Sequence, residues 1–134
     1  MSVVKGKRGE SGMEFLHTAR LLQIFTIQRC VTFPKRYTFY IGQPIAACGT
    51  RIHELVKCGN SVYPTNAHEV QIRRDYFIEA LAETQNLVSL IEVANELFGI
   101  NKELMGQWAA LIDDETRLIK GVMERDMARF KNLP

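Results

Sequence analysis

Apolar residues along this chain recur at helical spacing, and no stretch of any length alternates with the period of a strand. The clearest stripe is Phe77, Ala80, Leu81, Thr84, Leu87, Val88, Ile91, Ala94 and Phe98, one face of a long helix closed by Gly99. Asn66-Ala67-His68-Glu69 reads as its N-cap, with the reciprocal glutamate three residues on. A second stripe, Leu104, Trp108, Leu111, Ile112, Leu118, Ile119, Val122, Met123 and Phe130, marks a following helix capped by Asn101. Upstream, a helical pattern from Met13 to Thr32 stops at Phe33-Pro34, because proline disfavours helical geometry in the residue before it. A further helix is expected from Thr38 or Gln43 to Lys57, with Pro44 in its first turn, followed by a loop from Gly59 to Thr65. Gly42, Gly49 and Gly59 weaken that helix and suggest close approach of a neighbour. Together these elements predict an all-α fold, an antiparallel up-down-up-down four-helix bundle over residues 13–132, behind a basic tail at 1–12.

The first helix departs from the one-sided pattern. Its apolar residues, including Leu21, Ile24, Phe25 and Val31, reach every side at 100° per residue. Such a helix needs cover on more than one face. A second copy of the chain, packed on Leu21, Ile24, Phe25 and Val31, supplies that cover; the N-terminal tail is the alternative.

Composition adds to this picture. With 134 residues, 46% hydrophobic and 24% charged, the chain is long enough to bury a core without a metal or a disulfide. Cys30, Cys48 and Cys58 are odd in number and widely spaced, and they read as reduced thiols. No apolar run approaches the roughly 20 residues that span a bilayer, so a cytoplasmic protein without membrane contact is expected. The net charge of +2 conceals an asymmetry: residues 1–67 carry nine Lys or Arg against three acids, and residues 68–134 carry eight against twelve. From Phe15 to His53 there is no acid, yet Arg20, Arg29, Lys35, Arg36 and Arg51 fall there, so the field is uncompensated within the segment.

Glu14-Phe15-Leu16-His17 is a Glu-x-x-His, which di-iron bundles need twice; it occurs once, and no metal site is expected. His53-Glu54 and His68-Glu69 are neighbours about 100° apart on a helix and cannot act on one atom, and no nucleophile motif is present, so no catalytic residue or cofactor is assigned. Asp113-Asp114-Glu115 reads as a solvated face, with Asp113 paired to Arg117. Arg73 and Arg74 stand in the first turns of the long helix, where the dipole disfavours cations, so an anion should face them. Either a carboxylate of the fold (Glu54, Asp75 or one on the last helix) or a nucleic-acid phosphate meets that need. In the expected topology Lys57, Arg73, Arg74 and Arg125 share one end of the bundle, and Arg29, Lys35 and Arg36 the other.

The turn Phe33-Pro34-Lys35-Arg36-Tyr37-Thr38-Phe39, the early Arg73-Arg74-Asp75-Tyr76 and the early Trp108 resemble the Avd family over about residues 11–130. These are accessory proteins of diversity-generating retroelements, related to the intervening-sequence bundle proteins of bacterial ribosomal RNA genes. The resemblance implies a basic homopentamer with a central channel that associates with a reverse transcriptase and its template RNA during mutagenic cDNA synthesis. Lys35 and Arg36 match the family's basic turn, Arg73 and Arg74 its long helix, and Arg117, Lys120 and Arg125 its basic fourth helix. Twelve acids in the second half make this chain less basic than that pattern. The expected function is therefore an oligomeric, non-catalytic partner of nucleic acid and a reverse transcriptase; a bundle with protein partners alone is the alternative.

Overall fold

Local sequence sets where each helix begins and ends. In the computed structural model, which describes residues 13–134, α1 runs Glu14–Cys30, α2 Gln43–Ser61, α3 Ala67–Phe98 and α4 Lys102–Arg129, with no strand among the described residues. The basic tail expected at 1–12 lies outside the described residues. Pro34 ends the first segment, and a single 3₁₀ turn (Lys35–Tyr37) and a π turn (Thr38–Gly42) lead into α2, which starts at Gln43 with Pro44 in its first turn.

The second helix runs past its expected end at Lys57 to Ser61 and takes in Gly59. Gly59 is not a breaker there. It is a contact point: a Cβ at this position would stand 2.5 Å from Phe77 Cε1, so only a glycine lets α2 pass the Phe77 ring of α3. Asn66 caps α3 by accepting from the Glu69 amide at 2.9 Å. The return half of the box is shifted by one residue, since the Glu69 carboxylate accepts from the Thr65 amide and hydroxyl, each at 2.7 Å. Gly99 closes α3 at φ 75°, a conformation that favours glycine. Asn101 opens α4 by accepting from Glu103 and Leu104 amides at 2.9 and 3.2 Å.

The helices surround two adjoining groups of core side chains. One gathers Leu22, Ile45, Ile52, Leu87, Ile91 and Trp108 with Phe33 and Ile41 from the connection. The other gathers Phe15, Ala19, Leu55, Val56, Phe77, Ile119 and Val122. Trp108 is fully buried and its indole N–H donates to Thr26 Oγ1 at 3.0 Å, satisfying both polar groups. Helix α2 packs on α1 and α3, α1 packs on α4, and the α3–α4 seam is the thinnest of the four. At one end Phe15 of α1 meets Phe77 of α3, and Arg73 of α3 meets Asp126 of α4 and the last turn of α2. At the other, Phe33 meets Phe98 edge-on and Tyr37 lies tilted against it, with centroids 4.8 and 5.3 Å apart. None of the helices described is long and apolar enough to cross a membrane.

Candidate nucleic-acid interface

The thin seam between α3 and α4 opens a groove of about 770 Å³. Leu81, Met123 and Met127 give it an apolar lining, and Arg74, Arg117 and Lys120 line it as well. These are three of the basic residues expected from sequence, brought from two helices to one surface. Asp113 and Glu124 also line it, and Arg117 holds Asp114 at 2.7 Å, one turn back on the same helix. The partner of Arg117 is thus its i,i+3 neighbour Asp114 and not the expected i,i+4 neighbour Asp113. Both members are largely exposed, and a pair of that kind binds weakly enough to open for a ligand.

Arg73 does not belong to this surface. Only 7% exposed, it donates from Nε to Asp126 at 2.6 Å and from Nη1 to the Gly59 and Val62 carbonyls at 3.2 and 3.3 Å. The anion demanded by its position is the carboxylate of the fourth helix, and its fork stitches the ends of α2, α3 and α4 together. Four of its five N–H donors are thus held within the fold, and its guanidinium is buried away from the groove. Arg51 is likewise compensated, lying 3.5 Å from Glu79 and 3.4 Å from Glu83 of α3.

The remaining basic residues lie apart from the groove. Arg20 and Lys57 flank His53 on the α1–α2 face, where His53 Nδ1 meets Gln23 Oε1 at 2.6 Å. Burial, then the charges of Lys57 and Arg20, lower the His53 pKa. Arg29 covers the Phe25 ring at 5.1 Å, Lys35 and Arg36 stand exposed on the 3₁₀ turn, and Arg125, exposed on α4, lines a pocket at the bundle end and has one guanidinium nitrogen beside Gly121.

On α1 the buried face is Phe15, Thr18, Ala19, Leu22 and Thr26. Leu21, Ile24 and Val31 face outward, with Val31 78% exposed, and Met13 and Ile27 extend the stripe they form. Phe25 was expected with them and is instead turned inward, half-buried against Trp108 at a centroid distance of 6.0 Å.

Glu115, expected on a solvated face, lies in the core instead. It is fully buried, both carboxylate oxygens lack a hydrogen-bond partner, and burial pushes its pKa up to about 9. The signal was available: Trp108, Ile112, Glu115, Ile119 and Val122 follow one 3-4 line along α4. Cys48 is similarly quenched, its pKa raised to about 12 by burial and then by Glu83, and burial raises Cys30 to about 11. Neither thiol offers a thiolate nucleophile near neutral pH. Among the described residues no three His, Cys, Asp or Glu side chains gather as a metal site would require. No protein-family model, curated protein or solved structure matches the chain.

Proposed function

We propose that this chain is a non-catalytic accessory protein of the Avd kind, which assembles into a ring and binds nucleic acid through the α3–α4 groove. In this reading the helices run up-down-up-down, consistent with the starts of α1 and α3 meeting the ends of α2 and α4 around Arg73. The outer stripe of α1, Leu21, Ile24, Ile27 and Val31, is the contact between copies, five in number as the resemblance implies. The protein serves a reverse transcriptase and its template RNA or cDNA in the cytoplasm, in mutagenic copying of a diversity-generating retroelement.

The observation that carries the nucleic-acid part is the convergence of Arg74, Arg117 and Lys120 on one groove. Cations held on two rigid helices suit a phosphate backbone, which is read by charge and spacing and not by sequence. Anisotropy of labelled RNA at low ionic strength tests this against Arg74→Ala/Arg117→Ala/Lys120→Ala, whose sites are exposed or half-buried and leave the core intact. Binding lost in the triple variant supports the reading, and binding unchanged in it removes the groove. A bundle with protein partners alone is favoured by one observation, the acids Asp113 and Glu124 among the groove's cations. Absence of RNA binding by the wild-type chain would select it.

A further inference from the structure

The end of the bundle where Arg73 meets Asp126 holds a second, smaller pocket, of about 210 Å³. Helices α2, α3 and α4 and the α2–α3 link all contribute to it, through Asn60, Tyr63, Arg73, Arg125, Arg129 and Phe130. Three arginines line it against one carboxylate, Asp126, and that carboxylate is committed to Arg73 at 2.6 Å. Arg125 and Arg129 have no ion pair among the described residues. The pocket therefore favours an anion.

Its aromatic residues are not equivalent. The Phe130 ring already carries the Arg129 guanidinium at 4.7 Å and the Arg73 guanidinium at 5.9 Å, so it positions cations. Tyr63 is different, 80% exposed at the rim beside the buried Pro64. An exposed ring next to a backbone anchor is a ready stacking face. Asn60, half-buried, makes no side-chain hydrogen bond among the described residues and has both amide donors and its oxygen to offer. The volume falls below the roughly 300–1,000 Å³ of pockets that enclose drug-sized ligands, which limits the occupant to a single small unit.

We infer that this pocket binds one nucleotide unit, with the base stacked on Tyr63 and the phosphate on Arg125 and Arg129, and the Asn60 amide at the base edge. The inference rests on the nucleic-acid reading above and deepens it. A base within a duplex has no free face, so the strand engaged here is single-stranded. The same chemistry is offered by a free nucleoside monophosphate and by an unpaired nucleotide of a longer strand.

Labelled single-stranded RNA, its duplex form and a nucleoside monophosphate competitor are compared by anisotropy on the full chain. Tyr63→Ala should weaken single-strand binding by between about five-fold and a hundred-fold, while duplex binding stays unchanged. Tyr63→Phe, which keeps the ring, should restore it. Arg125→Ala/Arg129→Ala should weaken binding of the strand and lower its salt slope by roughly 0.7 per arginine. Competition by the monophosphate assigns a free nucleotide, and retention of strand binding without competition assigns the strand. Equal single-strand affinity for wild type and Tyr63→Ala, or equal loss in Tyr63→Ala and Tyr63→Phe, would overturn the inference. If only the groove triple variant loses RNA, the pocket fails and the proposed function stands; if wild type binds no RNA, both fail. Thermal melts of each variant separate loss of binding from loss of fold.

Discussion

Glu115 makes this bundle less stable as pH rises, and the size of the effect follows from its burial. Along α4 it stands between Ile112 of one core group and Ile119 of the other, with no exposed surface and no partner for either oxygen. The buried hydroxyl of Thr84 on α3 donates to its own helix at Leu81. The carboxyl is consequently neutral in the fold, with a pKa raised from 4.5 to about 9. In the unfolded chain it ionises near 4.5, so above that pH the unfolded state binds fewer protons than the native one. Stability is then fully present below about 4.5 and declines until the folded pKa near 9, by about 1.4 kcal/mol per pH unit at most. At pH 7 the cost is about 3 kcal/mol, a large part of the roughly 5–15 kcal/mol of a typical domain. Urea unfolding of wild type and Glu115→Gln from pH 5 to 9 isolates the term, because other groups cancel in the difference. The wild type should lose stability relative to Glu115→Gln as pH rises, and Glu115→Leu should exceed wild type by about 3 kcal/mol or more at pH 7. A difference that stays flat across the range would refute the reasoning.

Other substitutions read other parts of the fold. Asp126→Ala leaves the Arg73 guanidinium buried and unpaired and should cost about 3–5 kcal/mol in urea unfolding, whereas a loss under 1 kcal/mol would mean that Arg73 is free to turn outward. Gly59→Ala drives a methyl into the Phe77 ring and should cost about 1–3 kcal/mol; an unchanged midpoint would mean that α2 can move away from α3. Ile24→Glu, on the exposed stripe of α1, should lower the mass in light scattering without lowering helicity, and an unaltered oligomer mass would place the contact elsewhere.

Much of the fold was legible because periodicity and caps report backbone and burial directly. The α3 stripe from Phe77 to Ala94 and the caps at Asn66 and Asn101 needed only the 3.6-residue repeat and the chemistry of a free amide. What escaped were features set by a neighbouring helix. The close approach expected at Gly59 is there, but its loop is not: the helix continues to Ser61, and the Phe77 ring that requires the glycine belongs to α3. Glu115 read as solvated because its charge outweighed its register, yet register prevailed once Ile112 and Ile119 fixed the face of α4. Arg73 and Arg74 are adjacent in sequence and about 100° apart on the helix, which sends one to Asp126 and the other to the groove. The two-sided apolarity of α1 was visible in sequence, but the inward turn of Phe25 depended on Trp108.

The slope of log affinity against log salt for single-stranded RNA, measured on the wild type and on Ile24→Glu, tests the central claim most directly. Three groove cations and the two arginines of the end pocket in one chain account for a slope of at most about −3.5, at roughly −0.7 per phosphate neutralised on a single strand. An assembly that presents several grooves to one strand should show a steeper slope, relaxing toward the single-chain value in Ile24→Glu. A wild-type affinity that does not change with salt would contradict the account.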